Sequence, residues 1–145
     1  MYKFNLETVW NQRKSVAEGL QKELADFKKK LADERRLLAV FKKAKKAASK
    51  ELQREKMKSI TVFEIRLYVN FIEQLSGDIE KQEEKVSDAK KICDEKRENL
   101  IEAMKNRKAI EKLKEKGFKQ YQHEVAKKEQ VFLNEVAINL FNQKI

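Results

Sequence analysis

Two long heptad seams, separated by one short break, are the strongest constraint on what this chain can fold into. Steps of four and three from Leu6 pass through Leu6, Trp10, Arg13, Ala17, Leu20, Leu24, Phe27, Leu31, Glu34, Leu38, Phe41, Lys45, Ala48 and Leu52, and eleven of these fourteen are apolar. A 3.5-residue apolar repeat of this length is the signature of a helix that buries one edge against another. The pattern stops at Lys56-Met57-Lys58-Ser59. It resumes at Ile65 and runs through Tyr68, Ile72, Leu75, Ile79, Gln82, Val86, Ala89, Cys93, Lys96, Leu100, Ala103, Arg107 and Ile110, again eleven apolar of fourteen. Disorder, the alternative for a chain in which 40% of residues are charged, does not sustain such a repeat.

The break carries its own start signal. Thr61-Val62-Phe63-Glu64 has the form of a capping box, with Thr61 as cap and Glu64 reaching back to its backbone, and Ser59 competes two residues earlier. A connection this short folds the second helix back on the first. The expected fold class is therefore all-α: a long antiparallel two-helix coiled-coil hairpin with an extended C-terminal helical arm. It forms a single coiled-coil domain over 1–145, with helix 1 at about 5–56, the turn at about 57–61 and helix 2 at about 62–140. Residue numbers that face each other should add to about 118, which sets Leu52 near Tyr68, and Leu6 near Ile110 and Leu113. Trp10, Phe27 and Phe41 are large for a two-helix seam and predict irregular packing around them.

That pairing leaves the last 30 or so residues of helix 2 without a partner in the chain. The stretch RKAIEKLKEKGFKQYQHEVAKKEQ, 107–130, is helical in composition, heavily charged and thin in apolar residues. Phe118, Tyr121, Val125, Phe132, Val136, Leu140 and Phe141 still recur at helical spacing. An isolated helix of this kind is marginal in water, so its stripe calls for a partner protein. Gly117, at the crossover, is expected to kink or weaken the helix. A two-helix core also predicts a modest melting temperature and stabilisation on binding.

The chemistry of catalysis is missing from the pattern. Cys93 is the only cysteine and His123 the only histidine, 30 residues apart on one helix. They form no dyad and no zinc set within one chain. Three scattered glycines build no phosphate loop. No enzyme activity, catalytic residue, cofactor, metal or small-molecule substrate is expected. Cys93 falls on the seam as a small core residue, and one cysteine excludes an internal disulfide. The first ten residues show no signal-peptide core, and no apolar run is long enough for a membrane span. A cytoplasmic protein is expected.

Charge is unevenly spread. Residues 1–56 are net +8 and residues 57–145 net +2, while 28–50 alone carries ten basic and two acidic residues. Such a stripe suits nucleic acid, anionic lipid or an acidic protein face, or is a solvated face. Nucleic acid is the main rival partner, although no recognition fold accompanies the stripe.

Particular residues bring in a family resemblance. The opening Phe4-x-Leu6-x-x-Val9-x-x-x-Arg13 resembles that of the flagellar export protein family FliJ. So does the run Arg107-Lys108-Ala109-Ile110-Glu111-Lys112-Leu113-Lys114-Glu115, followed by Tyr121, Glu129-Gln130 and Asn134-Glu135-Val136-Ala137. The family pattern there is RKxxEKLKE, EQ and DE-x-A; Asn134 replaces a common Asp, and Gly117 falls in a stretch usually free of glycine.

The resemblance implies a non-enzymatic component of the flagellar type III export apparatus, similar to the central stalk of rotary ATP synthases. Its implied partners are the hexameric export ATPase, whose assembly it promotes, the membrane export gate protein and the export chaperones. Its implied place is cytoplasmic, peripherally at the inner face of the membrane at the flagellar base. On that reading Arg13, Arg107, Lys108, Lys112, Glu129 and Gln130 contact the ATPase ring, and Phe63, Tyr68 and Phe71, at the hairpin tip, contact the gate. Two alternatives stay open: the related stalk protein of an injectisome, and a basic nucleic-acid-binding coiled coil.

Overall fold

The computed structural model describes residues 2–144, which form two helices, α1 (Glu7–Lys56) and α2 (Val62–Gln143), with no strand among the described residues. The chain has no proline to interrupt either helix. Thr61 starts α2 as its cap: its hydroxyl accepts from the Glu64 amide at 3.2 Å, and its carbonyl accepts from the Ile65 amide at 3.1 Å. The Glu64 amide, and not its carboxylate, makes the observed bond. α1 ends in a tight turn in which the Met57 and Lys58 amides donate to the Arg54 and Glu55 carbonyls.

The helices pack as an antiparallel hairpin, and the packing resolves into two units. The first runs over Leu20–Leu100. Its buried side chains are Leu24, Leu31, Ala48, Leu52, Leu75, Gln82 and Cys93, all of them seam positions. Tyr68 meets Glu51, Gln82 meets Glu34 and Lys96 meets Glu23, pairs whose numbers add to between 116 and 119.

Three polar seam members of this unit, Glu34, Gln82 and Lys96, are bonded across the seam. Gln82 is 3% exposed, and its amide donates to the Glu34 backbone carbonyl at 2.9 Å and to the Glu34 carboxylate. A buried polar pair fixes register in a coiled coil at some cost in stability. Replacing Gln82 with Ala should lower stability by about 2 kcal/mol, through the lost bonds and the cavity left behind. A chemical-denaturation curve measures this, and a change below experimental error would show that the pair sets nothing. Phe27 is too large to bury between two helices and stays half-buried, with the ammonium groups of Lys30 and Lys96 at 5.0 and 5.7 Å from its ring centre.

The second unit joins the segment up to Gly19 to the segment from Ile101 onward. Ala17, Ala103 and Ile110 form its buried core. Leu6 lies just ahead of α1 and is 39% exposed, so it does not close the seam as its spacing suggests. Tyr2 takes that place. Its ring stands edge-on to Phe118 at 5.6 Å and tilted against Tyr121 at 5.4 Å, and its hydroxyl donates to the Lys114 carbonyl at 3.5 Å.

This contact also involves Gly117, the residue expected to kink or weaken the helix. α2 passes through Gly117 unbroken, and no glycine adopts a positive φ. A β-carbon at 117 would run into the Tyr2 hydroxyl. Gly117 thus lies against the Tyr2 side chain within a continuous helix.

Candidate partner-binding surfaces

Within the unit of the chain ends, Trp10 organises a polar cluster. Its indole N–H donates to Glu111 Oε1 at 3.5 Å, and Arg107 Nε donates to the same oxygen at 2.8 Å. The Lys114 ammonium lies 4.0 Å from the Trp10 ring centre and 3.3 Å from the Glu7 carboxylate. Arg13 donates to the Asn106 carbonyl at 3.4 Å.

Two residues assigned to the ATPase ring, Arg13 and Arg107, therefore spend hydrogen bonds inside the chain. Lys108 and Lys112 are exposed. Lys108 shares an open groove with Ile101, Met104, Lys105, Arg107 and Glu111. The aliphatic part of that groove is uncovered, with Ile101 49% and Met104 54% exposed.

The Arg107 bond is the main reason the Glu111 carboxyl is held below its ordinary value of 4.5; partial burial opposes it, and the Trp10 bond adds to it. A carboxyl depressed in the folded state contributes stability that is complete above the unfolded value and lost as pH falls through the folded one. Acidification below about pH 4.5 should thus release the indole first, while neutral and mildly alkaline pH leave it in place. Trp10 is the only tryptophan, so its emission reports the step directly. Glu111→Gln should abolish that acid transition, and an unchanged transition in the variant would assign it elsewhere.

Beyond Tyr121 the internal contacts stop. Every residue from Gln122 to Lys144 is exposed. The helical arm without a partner is the 22 residues from Gln122 to Gln143, shorter than the 30 or so expected, because residues ahead of α1 extend the pairing as far as Tyr121. Glu129 and Gln130 lie on this arm, and the Gln130 amide donates to Asn134 Oδ1 at 3.3 Å.

The recurring residues Val125, Phe132, Val136, Leu140 and Phe141 are all uncovered. Val131, Leu133 and Ile138 join them and were absent from the seam pattern, because they lie off its stripe. The signal for them is density rather than period: eight of the eleven residues in VFLNEVAINLF, 131–141, are apolar. A helix apolar around most of its circumference is one that calls for burial.

The hairpin tip carries a second uncovered surface. Phe63, Leu67 and Phe71 succeed one another at four-residue steps on α2 and are 70%, 54% and 50% exposed. Tyr68 differs from its two aromatic neighbours: it is half-buried, and its hydroxyl donates to Glu51 at 3.2 Å. Partial burial, then the bond to Glu51, and then the charges of Glu51, Glu55 and Glu64 raise its phenol above the ordinary value near 10. Leu67, Tyr68 and Phe71 line a shallow groove with Glu55 and Glu64. Tyr68 thus packs the tip together, and Phe63 and Phe71 face outward.

No helix among the described residues is long and apolar enough to cross a membrane. A two-helix coiled coil with uncovered apolar side chains on the C-terminal arm and on the tip is of the class of coiled-coil interaction proteins. The family described as Flagellar FliJ protein matches residues 2–145, and the chain belongs to that family, a component of the flagellar export apparatus. No curated protein and no solved structure matches the chain.

Proposed function

We propose that this protein is the stalk of the flagellar export ATPase: the arm of α2 enters the hexameric ring and promotes its assembly, and the tip meets the membrane export gate. The observation that carries this reading is the arm, 22 residues of helix without a single covered side chain. A helix so rich in apolar residues is stable in water only when a partner encloses it. Lys108, Lys112, Glu129 and Gln130, all exposed, are the ring-contacting residues in this reading. Arg13 and Arg107 act behind them, the first holding α1 to α2 and the second holding Glu111 toward Trp10. Phe63 and Phe71 make the gate contact, and Tyr68 supports them from within the hairpin. The protein sits peripherally at the inner face of the membrane, assists the chaperones that deliver export substrates, and itself catalyses nothing.

The test is the activity of the cognate export ATPase, with and without this protein, across a range of enzyme concentrations. Stimulation together with hexamer formation at lower enzyme concentration is the expected result. An active ATPase whose rate and assembly ignore the protein would remove the reading.

A further inference from the structure

Within Leu20–Leu100, α1 turns its seam positions toward α2, and the position on its far side falls five residues after each of Ala17, Leu24, Leu31, Leu38 and Lys45. That outermost position is occupied by Lys22, Lys29, Arg36, Lys43 and Lys50, and all five are exposed. Basic residues therefore hold five consecutive heptads of one register, at a spacing of about 10 Å along the helix. At 28, 35 and 42 the preceding residue is basic as well.

Few of these charges are neutralised. Arg36 pairs with Asp33 at 3.4 Å while remaining 77% exposed, and among the described residues Lys22, Lys29, Lys43 and Lys50 make no ion pair. The opposite helix has the opposite sign. α1 carries 13 basic and 6 acidic residues over 20–56, whereas α2 carries 7 and 10 over 62–100.

We infer that this stripe is a docking surface for an anionic lipid bilayer, with α1 lying along the headgroups. A plane touches a rod along one line, and here the basic residues occupy that line. The flanking positions are Ala25, Ala32 and Ala39 on one side and Asp26, Asp33, Val40 and Ala47 on the other; the small side chains leave headgroup phosphates a path to the ammonium and guanidinium groups, while the two aspartates offset part of the charge near Lys29 and Arg36. The acidic balance of α2 turns that helix away from the same surface and gives the unit one preferred face.

Clusters of this size and sign bind anionic leaflets, each basic residue contributing about fivefold, within a Debye length of the surface. Single-stranded nucleic acid is the poorer fit, because the stripe presents no aromatic side chain on which a base can stack. The surface is separate from the arm, so its failure would leave the ring reading standing, and the reverse holds too.

Co-sedimentation of the full chain with vesicles tests the inference. Binding is expected to vesicles containing phosphatidylglycerol, with little to phosphatidylcholine alone, and it should fall steeply with salt. Lys29→Gln, Arg36→Gln and Lys43→Gln together should weaken it by roughly a hundredfold with unchanged helicity. Lys85→Gln, Lys90→Gln and Lys91→Gln together remove as much charge from α2 and should weaken it far less. An equal loss in both triple variants, or no preference for the anionic vesicles, would overturn the assignment. So would tighter binding of an oligonucleotide at matched phosphate concentration, which would hand the stripe to nucleic acid.

Discussion

Ending the chain after Gln122 should abolish stimulation of the export ATPase while leaving the rest of the molecule folded. The cut removes the uncovered arm, including Val125 and all eight apolar residues of 131–141, and spares Phe118 and Tyr121, which Tyr2 holds. None of the described residues removed covers another part of the chain, since all are exposed. The melting temperature should therefore stay within a few degrees of the full chain, as for other changes at exposed positions. Loss of ring binding should exceed a hundredfold, because the cut discards an entire apolar face rather than one contact. A truncated chain that still stimulates the ATPase would place the ring contact on Lys112, Lys108 and the groove that Lys108 lines. A truncated chain that unfolds would show that the arm stabilises the hairpin, against the burial pattern.

Leu75→Ala should damage the hairpin severely, and Phe71→Ala, one turn earlier, should be nearly silent for stability. Leu75 is 7% exposed and Phe71 50%. Truncating a buried leucine costs about 3 kcal/mol, from lost transfer energy and the cavity left behind. In a chain of this length that lowers the melting temperature by roughly 10 °C. The core has little to spare, because a two-helix hairpin buries one edge of each helix and leaves the rest wet. Thermal unfolding followed by circular dichroism compares the two variants directly. If Phe71→Ala melts the protein as far as Leu75→Ala does, the tip aromatics are core residues, and the docking role of Phe71 falls.

The seams were legible in the residues because a heptad repeat is a statement about geometry. Of the 28 seam positions, Leu6 alone is exposed, and even Gln82, Lys96 and Glu34, polar where leucine was expected, lie at or against the interface. The register followed from the place of the break, and the break from Thr61. What periodicity could not reach was any contact made by residues outside a helix. Tyr2 precedes α1, belongs to no repeat, extends the pairing as far as Tyr121, and sets its hydroxyl against Gly117.

The partner surfaces were legible only in part, for a related reason. Sequence marks Arg13 and Arg107 as charged residues at seam positions, but which carbonyl or carboxylate satisfies them is a matter of distances. The basic row of α1 was visible as a lysine-rich stretch. That one unbroken row of it holds the outermost heptad position follows once the seam is known to face α2.

The span of the Tyr2 contact also dictates an order of events. Along the hairpin, paired residues lie 17 apart in the chain at Tyr68–Glu51, 48 apart at Gln82–Glu34, 93 apart at Arg13–Asn106 and 112 apart at Tyr2–Lys114. Loop-closure entropy favours the short separations first, so pairing propagates outward from the turn. During synthesis the residues nearest the turn can pair while the last part of α2 is still inside the ribosome. Tyr2 waits for the Lys114–Tyr121 stretch of α2 before its contacts can form. The clasp between Tyr2 and α2 is thus among the last of these contacts to close.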